Sequence, residues 1–316
     1  MNKNKLYTAA ERAIRQALRL RKGEKFLLVT DRQKLEIAEA LAGWAKEVGA
    51  ETTTYLMTET LRPISAPTAQ FQDLIRGASA TAYLLEGRFA EKPFRGFMVA
   101  EGSRNGRICM MPGITRDMME RLVNIDFKEM DRFTRQVMRV MKNAEDVVVE
   151  NAAGTHIEFS VKGREWLNDN GNISKPGMHG NLPAGECYTA PVEESFNGKI
   201  VIRLIDDKLG RGVMTFRQGK LVDFEGAGIE EVIRTVGSDE TARIIGEFGI
   251  GTNQGARICP NMLEAEKAFG TVHFAIGDSY GVGKNKSKYH FDALVDKVTI
   301  RAKGKEIARN GRFLIG

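Results

Sequence analysis

The chain has 316 residues, of which 42% are hydrophobic and 28% are charged, and its formal net charge is +6 at pH 7. This composition is that of an ordinary globular protein, and the length favours two domains over one. Lysine and arginine are scattered among 41 acidic residues, with no long basic block, so we expect no nucleic-acid partner.

The first 143 residues alternate helices with strands. Helical periodicity over residues 6–20 precedes a buried strand at 25–30, and Asp31 is placed to cap a helix that runs to about Val48. Further strands are predicted at 51–57, 81–86 and 107–111, and an amphipathic helix at 127–142. Alternation of this kind predicts βαβ units around a mostly parallel sheet. Residues 1–143 are therefore expected to form an N-terminal α/β domain.

From Asp146 onward, short strands with glycine-bearing turns dominate. A hairpin is predicted within residues 146–163, and further strands within 198–205, 210–226 and 296–311. One helix interrupts them near residues 228–236. The overall class is α/β, with a strand-rich α+β domain expected at residues 144–316.

Two features bear on location. No segment approaches eighteen uninterrupted apolar residues, and the N-terminus shows no apolar stretch before a small-residue cleavage site, so we expect no membrane partner. Cys109, Cys187 and Cys259 are odd in number and form no CxxC pair, which is typical of structural thiols. A cytoplasmic location is predicted.

Ionisable residues stand inside otherwise apolar segments of the second domain. Burying carboxylates and imidazoles is costly unless they are compensated, and converging oxygen and nitrogen ligands are what a divalent metal ion needs. The sequence therefore predicts a metalloenzyme. The candidate residues are Glu186, Glu247, Glu266, His273, Tyr280, His290 and Asp292.

Strand alternation places the histidines on one face of each strand. In residues 271–277, His273 shares a face with small residues, while Val272, Phe274 and Ile276 supply the opposite, core face. His290 and Asp292 are two residues apart, so one strand can donate both to one ion.

The glutamates also have structural interpretations. Glu247 could pair with Arg243 or Arg257, Glu186 could be an exposed turn residue, and Glu266 could lie on a solvated helix face. The charge count favours a metal site, because four carboxylates would balance two divalent cations, with the histidines as neutral ligands. That arithmetic predicts a dinuclear centre.

Competing nucleotide-binding and nucleophile motifs fail on spacing. Residues 249–255 are one residue too long for the dinucleotide fingerprint, and residues 281–284 lack the upstream glycine and the Ser/Thr of a P-loop. The chain also has no GxSxG nucleophile elbow.

The motifs NLPAGECYTAP, GEFGIGTN, HFAIGDSY and NKSKYHFD, with the passage from Glu266 to His273, resemble in order those of the M29 metallopeptidases of the aminopeptidase T and aminopeptidase S type. The resemblance implies peptide hydrolysis by two divalent ions (Zn, Co or Mn), whose ligands are the six acids and histidines named above. It implies that Tyr280 assists catalysis and that the protein is a homodimer. Either Glu186 or Glu247 would be the general base, and Tyr280 would donate to the oxyanion.

The resemblance leaves the substrate open and allows two functions other than peptide hydrolysis. The chain is shorter than the aminopeptidases, and only nine residues separate Tyr280 from His290, so substrate specificity is open and a small-molecule substrate is an alternative to a peptide. The resemblance extends to a ring-cleaving 2,5-dihydroxypyridine dioxygenase, which implies a single Fe(II) held by two histidines and a carboxylate. A binding relative without turnover is the third possibility.

Overall fold

The computed structural model describes residues 4–64 and 67–315, which form two compact units. One unit contains a five-stranded parallel sheet and the other a thirteen-stranded antiparallel sheet. The predicted mixed α/β class is confirmed. Within the described residues, no helix is long and apolar enough to cross a membrane.

The first unit is built from βα alternation, as the sequence predicted. Its sheet has the order β2-β1-β3-β4-β8. Asp31 caps the helical segment after β1 by accepting hydrogen bonds from the backbone N–H groups of Gln33 and Lys34. The strands are β1 Lys25–Thr30, β2 Glu51–Leu56, β3 Ala80–Leu84, β4 Arg107–Met110 and β8 His179–Asn181, and the helices are α1 Lys5–Arg12, α2 Leu35–Glu47, α3 Ala69–Gly77, α4 Lys92–Asn105 and α5 Arg116–Met118.

The compact units do not follow the predicted division at residues 143/144. The first unit comprises Met1–Phe127 and Gly171–Ala184, and the second comprises Lys128–Asn170 and Gly185–Gly316. The chain returns to the first unit because β8 pairs in parallel with β4, with Cys109 opposite Gly180. A three-residue strand lacks the periodicity that would have revealed this pairing.

The second unit contains the predicted hairpin, β5–β6, and most of the remaining strands. Its helices are α6 Phe127–Met141, α7 Ala227–Val236 and α8 Met262–Ala265. Its strands are β5 Val147–Glu150, β6 His156–Phe159, β7 Leu167–Asp169, β9 Glu186–Thr189, β10 Asn197–Ile205, β11 Lys208–Arg217, β12 Lys220–Glu225, β13 Ile245–Gly251, β14 Val272–Gly277, β15 His290–Val295, β16 Thr299–Ala302, β17 Lys305–Arg309 and β18 Arg312–Phe313.

The order of this second sheet places β10, β15, β14, β13, β9 and β7 side by side. One face of these strands packs into an aromatic core, in which the rings of Phe159, Phe248 and Phe274 lie within 6 Å of one another. Burying each ring contributes about 1.5–3 kcal/mol to stability. Because side chains alternate along a strand, this core fixes which residues of β13 and β14 point to the other face.

Candidate metal centre

Four neighbouring antiparallel strands carry five of the six predicted ligands. His290 and Asp292 lie on β15, His273 on β14, Glu247 on β13 and Glu186 on β9. Register places Glu247 level with Asp292, because Ala275 of β14 is opposite both residues. Antiparallel pairing thus brings together residues that lie up to 106 positions apart in the chain.

The faces of β14 and β15 are those that alternation predicted. Val272, Phe274 and Ile276 belong to the core, as does Phe291 between the two β15 ligands. His273 lies opposite Gly249 of β13, and a Cβ at Gly249 would come 2.0 Å from the imidazole. The glycine therefore makes the space in which the His273 ring sits.

The side chains of Glu247, His290 and Asp292 form the tightest group. Each offers one ligand atom, and these atoms all lie within 4.8 Å of one another. His290 Nε2 is 3.2 Å from Asp292 Oδ1 and 3.8 Å from Glu247 Oε2. His290 Nδ1–H donates to the Asp278 carbonyl oxygen at 2.8 Å, which directs Nε2 toward the carboxylates.

His273 links this group to Glu186. Its Nε2 is 3.0 Å from Glu247 Oε1 and 3.5 Å from Glu186 Oε2. Within the described part of the chain, Glu186 Oε2 is buried without a hydrogen-bond partner. A buried carboxylate oxygen beside an imidazole, with no donor of its own, fits a divalent cation.

Lys267 is a member of the site that the sequence analysis missed. Its side chain is fully buried, and its Nζ donates to Glu186 Oε1 at 2.8 Å and to a carboxylate oxygen of Glu266. Asp169 Oδ2 lies 3.7 Å from the same nitrogen. The only available signal was a lysine between Glu266 and Ala268 in EAEKAFG, a pattern that favours a solvated helix face.

The neighbouring carboxylates raise the pKa values of both histidines. Burial lowers the pKa of His273, but Glu247 and Glu186 raise it more, to about 10. Burial likewise lowers the pKa of His290, and Asp292 and Glu247 raise it to about 9. Without a metal ion, both imidazoles are therefore protonated at neutral pH.

The pKa of Glu266 is also raised. Burial raises its pKa to about 8, despite the Lys267 ammonium, which lowers it. Anionic neighbours add to the increase, because Glu186 and Asp292 also raise this pKa. The raised pKa values of His273, His290 and Glu266 show that this group of carboxylates retains protons, which a bound cation would displace.

The structure supports none of the three structural interpretations of the glutamates. Glu247 contacts the two histidines, whereas Arg243 donates to a backbone carbonyl and Arg257 lies beside Glu264. Glu186 is 5% exposed, so it is not a solvated turn residue. The Glu266 side chain is 12% exposed and follows a helix of only four residues, so no solvated helix face exists there.

Tyr280 lies at the mouth of the site. Its side chain is 58% exposed, and its ring centroid is 4.4 Å from that of His290. The backbone has φ +49°, and the Tyr280 N–H donates to the Asp278 carboxylate. The phenol is therefore held over a candidate ligand and is not packed in the core.

Comparison with known proteins identifies a family for this part of the chain. The M29 family model, described as thermophilic metalloprotease, matches residues 124–313, a range that includes every candidate site residue. No curated protein matches the chain.

Solved structures that share the fold include a dioxygenase and AmpT. A 2,5-dihydroxypyridine dioxygenase from Pseudomonas putida is 15% identical with a TM-score of 0.76, and the match covers 98% of this chain and 96% of that one. AmpT from Thermus thermophilus is 17% identical with a TM-score of 0.71, and the match covers 98% of this chain and 99% of that one. At these identities, the likeness shows the fold alone.

Proposed function

Because the chain belongs to the M29 family of thermophilic metalloproteases, we propose that it is an aminopeptidase that releases the N-terminal residue of peptides. The family makes it a metal-dependent peptidase, a hydrolase that binds a divalent metal. The observation that carries the finer proposal is the convergence of five acids and histidines from four strands of the second sheet, with Glu266 joined to them through Lys267.

The proposed centre holds two divalent ions of Zn, Co or Mn. Glu247, His290 and Asp292 would hold one, and Glu186, Glu266 and His273 would hold the other. When bound, such ions polarise a scissile carbonyl and lower the pKa of a coordinated water toward neutrality.

The protein side chains then have separate roles. Glu186 or Glu247 would accept a proton from the attacking water. Tyr280, exposed above His290, donates its phenol hydrogen to the developing oxyanion. The carboxylates of the site would favour the free α-ammonium group of a peptide substrate over an acylated N-terminus.

One observation favours a second candidate function. Lys267 already neutralises part of the charge of Glu186 and Glu266, while Glu247, His290 and Asp292 stand as a group of three. His273, whose Nε2 lies 3.0 Å from Glu247 Oε1, would add the second histidine. Two histidines and a carboxylate suit a single Fe(II) with open positions, as in ring-cleaving dioxygenases. Oxygen consumption with 2,5-dihydroxypyridine and Fe(II) would reveal that activity.

The test uses a matched pair of substrates. The purified protein is loaded with Mn²⁺, Co²⁺ or Zn²⁺ and incubated with a panel of dipeptides and with their N-acetylated counterparts. An aminopeptidase cleaves only the free amines, because the blocked peptides lack the α-ammonium group. Equal cleavage of both series, or cleavage of neither with any metal, would overturn the proposal.

We also propose a homodimer, as the family resemblance implied, with no nucleic-acid or membrane partner and a cytoplasmic location. Light scattering behind gel filtration should give twice the chain mass of 35.1 kDa. A monomeric mass at micromolar concentration would contradict the proposed homodimer.

A further inference from the structure

Lys267 is the most deeply buried cation of the candidate centre. Its side chain has 0% exposure, and its ammonium contacts the carboxylates of Glu186, Glu266 and Asp169. A buried ammonium is costly unless it is paired, so these carboxylates hold it and it holds them. Two of the three are proposed metal ligands.

The other half of the centre is arranged differently. His290 contacts both Asp292 and Glu247, and Glu247 also contacts His273. The ligand atoms of Glu247, His290 and Asp292 already lie within 4.8 Å of one another. A divalent ion entering there meets ligand atoms that are already grouped around one position. An ion approaching Glu186 and Glu266 instead meets an ammonium that already occupies their oxygens.

We propose that Lys267 competes with the second divalent ion for Glu186 and Glu266, so that the two metal positions differ in affinity. This inference rests on the proposed dinuclear centre. Lys267 acts as a positioning residue, because it keeps both carboxylates in place while only the first position is filled. The second ion binds when it displaces the ammonium, and it is repelled by that ammonium if it does not.

The consequence for Lys267→Met is specific. Methionine has a similar length and no charge. In this variant no ammonium competes with the second ion for Glu186 and Glu266, and no ammonium compensates their negative charge when the metal is absent. The metal-free variant should be less stable than wild type, and the second ion should bind more tightly. A lysine that served only to hold the fold would lower the stability of the metal-free and metal-loaded forms equally.

The experiment is a titration of the full chain with chelator-buffered Zn²⁺, in which bound metal and Tm are measured at each free concentration. Wild type should bind in two separated steps. In Lys267→Met, the second step should move to a free Zn²⁺ concentration lower by at least about tenfold, a change of the size that neighbours of metal ligands produce. The Tm deficit of the metal-free variant should shrink when both positions are filled.

Lys34→Met is the matched control. Lys34 is also buried, at 7% exposure, and pairs with Glu86 in the first unit. Its substitution should lower Tm at every Zn²⁺ concentration and leave both binding steps unchanged. Lys267→Arg retains the positive charge, so it should keep the two steps apart.

Three results would overturn the inference: two equal steps in wild type, an unchanged separation in Lys267→Met, or the loss of both ions in that variant. If Lys267→Met does not fold without metal, the Lys267→Arg titration decides, because merged steps there would contradict competition by charge. The titration uses no substrate. Two-step binding without peptide cleavage would therefore support the role of Lys267 while overturning the aminopeptidase.

Discussion

Replacing Gly249 by alanine should damage the metal centre without touching a ligand. Gly249 lies opposite His273 across the β13–β14 pair, and an added Cβ would stand 2.0 Å from both Cε1 and Nε2 of the imidazole. Unstrained contacts between such atoms need about 3.5 Å, so the ring must retreat by roughly 1.5 Å. β13 is fixed between β9 and β14, so the ring moves more easily than the strand.

The retreat has two measurable costs. Overpacking of this kind costs about 1–3 kcal/mol of stability, which corresponds to a Tm decrease of roughly 2–12 °C in a unit of this size. The displaced ring also loses its 3.0 Å contact with Glu247. Metal affinity should therefore fall by about 10- to 100-fold, the range typical of disturbed ligand geometry.

The assay is the metal titration of Gly249→Ala beside Gly210→Ala. Gly210 lies in β11, and a Cβ added there would meet no atom of the described structure within 4 Å, so its substitution controls for the general effect of alanine in a strand of this sheet. The control should bind metal as wild type does. Wild-type affinity in Gly249→Ala would show that His273 is not a ligand or that its ring position does not matter.

Three further predictions concern catalysis, metal uptake and stability. Tyr280→Phe should retain both metal ions and keep its ring over His290. It should lower kcat by roughly 10- to 1000-fold with little change in KM, because the donor to the oxyanion is lost. Steady-state kinetics on the best dipeptide substrate check this. Metal affinity should keep rising from pH 6 to about pH 9, because the raised pKa values of His273 and His290 mean that each bound ion displaces protons. Metal titrations at fixed ionic strength check this. A metal affinity that levels off near pH 7 would contradict the raised pKa values. Glu24→Gln should destabilise the first unit by about 1–3 kcal/mol, because buried Arg107 loses its carboxylate partner. Burial raises the pKa of Glu24, but Arg107 lowers it by more, so the net shift is downward. The wild-type protein therefore has this stabilisation above the usual glutamate pKa and loses it as the pH falls through the lowered pKa. The acid-denaturation curves of wild type and Glu24→Gln should converge in that pH range.

Much of the site could be predicted because strand alternation is a local rule. A histidine between Val272 and Phe274 has only one face available when the core takes the other, and the same holds for His290 and Asp292 around Phe291. Convergence on one place was a weaker inference, since it depends on strand order. That order brings β9, β13, β14 and β15 side by side, although a helix-containing segment separates β13 from β14 in the chain.

What the sequence did not reveal involves long-range packing. Lys267 follows a short helix and resembles a solvated residue until β9 places Glu186 against it. The return of Gly171–Ala184 to the first unit depends on the three-residue strand β8. Neither the partner of a buried charge nor the neighbour of a very short strand is encoded in local periodicity.

The location of the metal is the most direct test of the account. Crystals of the Zn²⁺- or Mn²⁺-loaded protein, measured at the absorption edge of the metal, give an anomalous map that identifies the ion and its ligands together. The account predicts a strong peak about 2.0–2.3 Å from side-chain atoms of Glu247, His290 and Asp292, and a second, weaker peak near Glu186 and Glu266. Anomalous peaks only elsewhere in the molecule, or none at saturating metal, would contradict it.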